Sequence, residues 1–260
     1  MADFKASPHA PAHRAEKPVT ALSDRHVVVI AGSSGIGLAV AAAAAERGAR
    51  VTVTGRDAAR LAKAAAAIGR GTDTVVFDGT DGDEVARFFS KIGHIDHLVS
   101  CIGFSERGTL LGHAEEQARR VIEHKFWAQL RIVRQGLPVM SRDGSITLTG
   151  GTAADRAGVP HFAAFSIIGN TALGALVQGL AAEIAPVRIN VVEPTVTNTP
   201  LMDILLPEQK ASFFARFSAT SPIGRVPQPQ QVARSYIHAM ESDLINGDRL
   251  RPDGGPTLVL

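Results

Sequence analysis

Cysteine, tyrosine and tryptophan each occur once in this chain of 260 residues, and aromatic residues make up only 5% of it. The lone cysteine, Cys101, excludes an intramolecular disulfide. The lone tyrosine, Tyr236, leaves a single phenol for any acid–base role. An excess of charge of one sign is also missing. Lys and Arg number 27 against 25 Asp and Glu, a formal net charge of +2 with no long basic stripe, so nucleic-acid binding has no electrostatic support. No uninterrupted apolar run reaches about 18 residues, so no membrane-spanning helix is expected. Residues 1–24 carry three prolines and mixed charge but no apolar core of a secretory signal, and are expected to form a mobile tail. No Cys/His cluster has metal-ligand spacing, so no metal site is predicted. These absences suit a cytoplasmic location, which stands as an expectation.

What is present is a repeating order of strand and helix. Short β-branched runs at Val27–Ala31, Val51–Thr54, Val75–Phe77, His97–Ser100, Ser145–Thr149, Val187–Val192 and Gly247–Pro252 predict about seven strands. Between them, Ile36–Arg47, Ala58–Ile68, Glu84–Ile92, Glu115–Leu137, Phe162–Ile184 and Pro229–Glu241 predict helices. Apolar strands alternating with helices imply right-handed crossovers and a parallel sheet covered on both faces. The fold class is therefore α/β, a doubly wound Rossmann-type sheet, expected as a single domain over residues 25–260. The Pro-rich stretch from Thr195 to Gln231 reads as a flap with a short helix near Pro207–Phe217.

The segment Ala31-Gly32-Ser33-Ser34-Gly35-Ile36-Gly37 joins the first strand to the first helix. Glycines there permit a tight turn and let backbone N–H groups approach a pyrophosphate, which the positive helix N-terminus then faces. The spacing is closer to G-x-x-x-G-x-G than to G-x-G-x-x-G. With it come Ile95-Asp96-His97-Leu98-Val99-Ser100-Cys101-Ile102-Gly103, Arg188-Ile189-Asn190-Val191-Val192-Glu193-Pro194 and Asp253-Gly254-Gly255. Together these resemble the short-chain dehydrogenase/reductase family from about residue 25 to the C-terminus.

The resemblance implies a nicotinamide cofactor. Gly32, Ser33, Ser34, Gly35, Ile36 and Gly37 would hold its diphosphate. The second strand ends in Gly55-Arg56 instead of an acidic residue, which favours NADP(H) over NAD(H), because a guanidinium pairs with a 2′-phosphate. Asp78 and Gly79 would meet the adenine. Ser100, Cys101 and Gly103 stand where the family has N-N-A-G. Thr197 and Thr199 would hold the carboxamide and diphosphate, although the family's glycine after Pro194 is Thr195 here.

The family's chemistry uses a tyrosine, a lysine four residues later, a serine before that helix and an asparagine in the preceding long helix. By resemblance these positions hold Phe165, Gly169, Thr152 and Lys125, so all four depart from the pattern. Phe165 cannot donate a proton. Lys125 is read as a relocated cation filling the volume vacated at Gly169, with a buried, weakened ammonium able to act as an acid. The other reading is a solvated helix lysine. His161 is a second candidate donor, and His113 and Arg107 lie near the expected cleft mouth. Cys101 reads as packing and not as a nucleophile, Asp155 as a solvated turn, and Tyr236 as lying near a subunit surface. Three readings follow: an oxidoreductase for a small apolar carbonyl or alcohol with a non-standard proton donor, a non-redox enzyme (dehydratase, isomerase or cyclase), and a cofactor-binding pseudoenzyme. The two longest helices are expected to form a homodimer or homotetramer.

Overall fold

A computed structural model describes residues 22–69, 71–103, 115–155 and 164–258. Seven parallel strands form one sheet in the order β3-β2-β1-β4-β5-β6-β7. They are β1 (His26–Ile30), β2 (Arg50–Gly55), β3 (Asp73–Val76), β4 (Ile95–Ser100), β5 (Met140–Thr149), β6 (Arg188–Val192) and β7 (Arg249–Leu250). The order reverses between β1 and β4, whose C-terminal ends therefore open a crevice.

Alternation along the strands divides the core. Val28 and Ile30 pack with Leu98, Ile146, Leu148, Ile132, Leu173 and Val177 on one face. Val27 and Val29 point the other way, into a cluster with Val51, Val53, Val40, Ala44, Tyr236 and Ile237. Both faces are thus covered, which is why the strands read as unbroken apolar runs. Helices α1 (Gly35–Glu46), α2 (Ala58–Ile68) and α8 (Pro229–Glu241) serve the second cluster. Helices α3 (Gly82–Phe89), α5 (Ala128–Gly136) and α6 (Ala164–Glu183) lie on the first face, and α4 (Glu115–Ile122) packs against α6. The alanines of α1 let it sit close to the sheet and to α8. Helix α6 is long and apolar enough to span a membrane by composition, but Leu173 and Val177 seat it in the core.

Several expectations change. The long helix predicted over Glu115–Leu137 is three pieces: α4, a π-helical turn at Glu123–Trp127, and α5, followed by a 3-10 turn at Leu137–Val139. A π turn holds one more residue than an α turn, so it re-aims the side chains it carries. Strand β5 begins five residues early, at Met140, with a register break opposite Ile95 and His97. The last strand shrinks to Arg249–Leu250, and α7 runs from Pro207 to Thr220. Tyr236 is not near a surface: it is fully buried, and its hydroxyl lies 2.7 Å from Thr149 Oγ1. Thr149 Oγ1 in turn donates to the Ser100 carbonyl at 2.6 Å.

Candidate active site

The turn after β1 is tightly determined. A Cβ on Gly37 would stand 2.4 Å from the Ala31 carbonyl oxygen, and one on Gly32 would stand 2.9 Å from Val53 Cγ1. Gly35 has φ +56 and faces Thr199, whose Cβ would be 3.3 Å from a Cβ at Gly35. The three-residue gap before Gly35 opens at Ala31, not at a glycine. Ala31 holds φ 60, in the left-handed region that costs an L-residue about 1–2 kcal/mol. So the G-x-x-x-G-x-G spacing is broken at its first position, while the backbone shape is kept. Ser34 takes the N-cap position of α1 without a side-chain cap, and Ile36 and Gly37 follow in the first turn, whose N–H groups have no intrahelical partner. This cradle suits a dinucleotide diphosphate in shape and polarity.

At the adenosine end, a Cβ on Gly55 would meet Ser33 Oγ at 3.0 Å, so the strand end has little room for a carboxylate. Arg56 extends into solvent with its side chain 79% exposed, and its nearest ionic neighbour is Asp78 at 3.9 Å, not Asp57. Asp57 instead caps α2. Burial opposes the charge on Asp78. Hydrogen bonds from the Thr80 N–H and hydroxyl, with Arg56 and His124 nearby, outweigh it and hold the carboxyl below its usual range. Gly79 packs against Ile102 and Ile30, where a Cβ would come within 2.9 Å.

Beneath the crevice, Ser100 is fully buried and its Oγ has no partner among the described residues. The Cys101 N–H donates to the Ile30 carbonyl at 2.9 Å, extending the β1–β4 pairing. Burial pushes the Cys101 thiol up to about 12, beyond any use as a thiolate nucleophile. Gly103 approaches Leu201. Thr197 is buried, and its hydroxyl donates to the Thr195 carbonyl at 2.8 Å. Thr195 has no positive φ, so this turn is built without the family's glycine.

The π turn brings Lys125 inside. The residue is only 8% exposed, and its Nζ donates to the Gly150 carbonyl at 3.4 Å. Its stem crosses Gly169: a Cβ there would stand 2.9 Å from Lys125 Cβ and 3.6 Å from Cγ. The stem of Lys125, not its ammonium, thus lies against Gly169, and the residue is buried and not solvated. Burial lowers the ammonium to about 8. Gln129, fully buried, fixes this stretch by donating to the carbonyls of Lys125 (3.0 Å) and Thr149 (2.9 Å) while accepting from the Thr149 N–H.

Thr152 starts a 3-10 turn, Thr152–Asp155, and its N–H donates to the Pro194 carbonyl at 3.1 Å. Ser166 and Asn170, one turn apart on α6, are both 4% exposed. Ser166 Oγ and Asn170 Oδ1 have no partner among the described residues, and Asn170 lies against Gly151. Phe165 lines a groove of about 570 Å³ with Ala118, Ile122 and Trp127. His161, His113 and Arg107 lie outside the described residues.

Asp155 is exposed at the end of the Thr152–Asp155 turn, as expected, but it is also ion-paired. Its Oδ2 accepts from Arg249 and Arg251, both at 3.0 Å. The same two arginines clamp Glu193, which is fully buried at the end of β6 (2.9 and 3.2 Å). Glu193 Cγ would lie 3.2 Å from a Cβ on Gly150. The cluster thereby backs the Gly150–Asp155 turn that carries Thr152. Sequence reasoning missed Gln129, Ser166, Asn170 and Glu193. Their one signal is polarity at positions where the helix or strand period calls for a core residue.

Residues 30–257 match the family described as enoyl-(acyl carrier protein) reductase. The chain is 31% identical over 253 residues to the cis-4-hydroxycyclohexanecarboxylate dehydrogenase of Sinomonas cyclohexanicum, covering 92% of this chain and 99% of that one. It superposes with a TM-score of 0.82 on a solved short chain dehydrogenase/reductase family protein, 29% identical, covering 92% and 99% of the two chains. It also superposes with a TM-score of 0.78 on a small-chain dehydrogenase in complex with NADPH, 25% identical, covering 91% and 100%. With the sheet order, the phosphate turn and the strand-end motifs, these matches establish that the chain belongs to the short-chain dehydrogenase/reductase family of oxidoreductases.

Proposed function

We propose that this protein is an NADP(H)-dependent oxidoreductase for a small, fairly apolar carbonyl or alcohol, in which Lys125 replaces the family's tyrosine–lysine pair. The observation that carries this reading is the passage of the Lys125 stem over Gly169, which delivers a buried amine beside the Gly150–Thr152 turn. Gly32, Ser33, Ser34, Gly35, Ile36 and Gly37 hold the diphosphate. Arg56, loosely paired and exposed, takes the 2′-phosphate. Asp78 and Gly79 face the adenine, Ser100, Cys101 and Gly103 line the crevice floor, and Thr197 and Thr199 hold the nicotinamide end. A solved neighbour in complex with NADPH supports the choice of cofactor.

Bound nicotinamide would supply the hydride. Charge then develops on the substrate oxygen, and a donor must answer it. Lys125 does so as an ammonium weakened toward neutrality by burial, while the Thr152 hydroxyl orients the same oxygen. The flap over the site carries Leu201 and Leu206, which are exposed, and Leu205 and Phe217, which are buried, and this suits an apolar substrate. Trp127 and Ile168 stand 47% and 52% exposed on the π turn and α6, and support a homodimer through these helices.

The test is a fluorescence titration with NADPH and NADH, followed by a carbonyl panel read at the nicotinamide absorbance. Tighter NADPH binding with turnover lost in Lys125→Ala is the expected result. Binding without turnover on any carbonyl would favour a cofactor-binding pseudoenzyme.

A further inference from the structure

An amine that attacks a carbonyl must be neutral and unpaired with an anion. Geometry supplies the second condition at Lys125, which is buried without an ion pair among the described residues. Among the described residues its nitrogen makes one hydrogen bond, to the Gly150 carbonyl oxygen at 3.4 Å, near the limit of such a bond. No carboxylate forms an ion pair with it among the described residues. The charged groups on the elements packed around it are already engaged. Glu193, behind Gly150, is held by Arg249 and Arg251, and Arg249, which lies against Gly174 of α6, is shared with Asp155. On its own turn, Glu123 is paired with Arg131. A buried ammonium left without a counter-ion favours loss of its proton. Two buried polar groups without partners among the described residues, Ser166 Oγ and Asn170 Oδ1, lie on the helix that Lys125 crosses, and Asn170 flanks the same turn that the amine touches. Phe165, at the position where the family has its tyrosine, carries no phenol.

We propose that Lys125 is a nucleophile that forms an imine with small aldehydes and ketones. The nitrogen bonds to the carbonyl carbon, and the resulting carbinolamine loses its oxygen as water, carrying away both hydrogens from nitrogen. Nothing is oxidised or reduced, and no nicotinamide is required. The inference goes beyond the hydride-transfer reading and does not depend on it. The iminium form acidifies the neighbouring C–H bonds, so the site gains access to carbonyl chemistry other than reduction.

The test uses the cofactor-free full chain at pH 8 with propanal and sodium cyanoborohydride, which delivers hydride to the iminium carbon and fixes it as an N-propyl lysine. Peptide mass spectrometry then reads the rate at each lysine; the chain has Lys63 and Lys91 as exposed references. Burial without a counter-ion lowers the ammonium to about 8. The expected rate at Lys125 is therefore at least about tenfold above both references. In 8 M urea, a condition of the assay, that preference should vanish. The Lys125→Arg variant, which keeps the charge and cannot form an imine, should lose the fast label with Lys63 and Lys91 unchanged. Labelling of Lys125 no faster than about threefold above the references in folded protein overturns the proposal, as does a preference that survives in urea. Because no cofactor is present, failure here is distinct from failure of NADPH binding.

Discussion

Lys125 Cβ lies 2.9 Å from the point where a Cβ on Gly169 would stand. The two positions on neighbouring helices are therefore one choice: the lysine on the π turn requires the glycine on α6. Gly169→Ala gains up to about 1 kcal/mol of helix propensity. It also drives one Cβ into another, and neither is the free end of a flexible chain, so overpacking of about 1–3 kcal/mol wins. The expected net loss is about 1–2 kcal/mol in urea unfolding. Lys125→Ala keeps its Cβ and should not rescue it, whereas Lys125→Gly in the double variant should. A double-mutant cycle giving no coupling would refute the contact.

Stability should also depend on pH through Lys125. Its folded value, about 8, lies below the unfolded value of 10.5. Between those values the unfolded chain binds more protons, so this residue makes stability rise with pH across that window. Below about pH 8 both states are protonated and the penalty of the buried charge is fully present, on the order of 3 kcal/mol. Lys125→Met should thus be more stable than the parent at pH 7, with the gap closing as pH approaches 10.5. The urea midpoints of both proteins at pH 7 and pH 10 give the answer, and a gap independent of pH would contradict it.

Ala31 holds a left-handed backbone at the mouth of the phosphate turn. Ala31→Gly removes the Cβ strain but adds unfolded-state entropy, leaving a net gain of about 0.5–1 kcal/mol. Thermal melts should rise by a few degrees with NADPH affinity unchanged. A lower melting point would mean that the Ala31 methyl packs usefully against its neighbours.

Arg56→Ala should weaken NADPH binding by about tenfold and leave NADH binding within twofold, since an exposed charge-assisted contact contributes about 1.5 kcal/mol. The difference should shrink in high salt. Equal losses for both cofactors would remove Arg56 as the 2′-phosphate ligand.

Glu193→Gln should cost about 3–5 kcal/mol, because it leaves Arg249 and Arg251 without their buried anion. Asp155→Asn should cost less, as its side chain is 32% exposed. Both are read by denaturant unfolding. A near-neutral Glu193→Gln would show that Asp155 alone satisfies the arginines.

The sheet and the phosphate turn were legible because their signals are local: β-branched runs, glycines at a strand–helix junction, a Pro after a helix. The Lys125–Gly169 exchange was legible as well, since one position lost its bulk while a neighbouring helix gained a cation. Other features carry no local mark. The π turn is a one-residue change of phase inside an otherwise helical pattern. Tyr236 meets Thr149 across 87 residues of chain, and Arg249 meets Asp155 across 94, so neither pairing can be read from spacing. The ion pairs of Asp155 were hidden because its partners, Arg249 and Arg251, lie at the far end of the chain.

The π turn also places the chain's sole indole two residues beyond Lys125, nearly half exposed on the outer wall of the same turn. Trp127 is therefore an intrinsic optical probe. Its emission should shift to the blue when a second copy covers that wall, and it should report any rewinding of the turn without a dye or an introduced label.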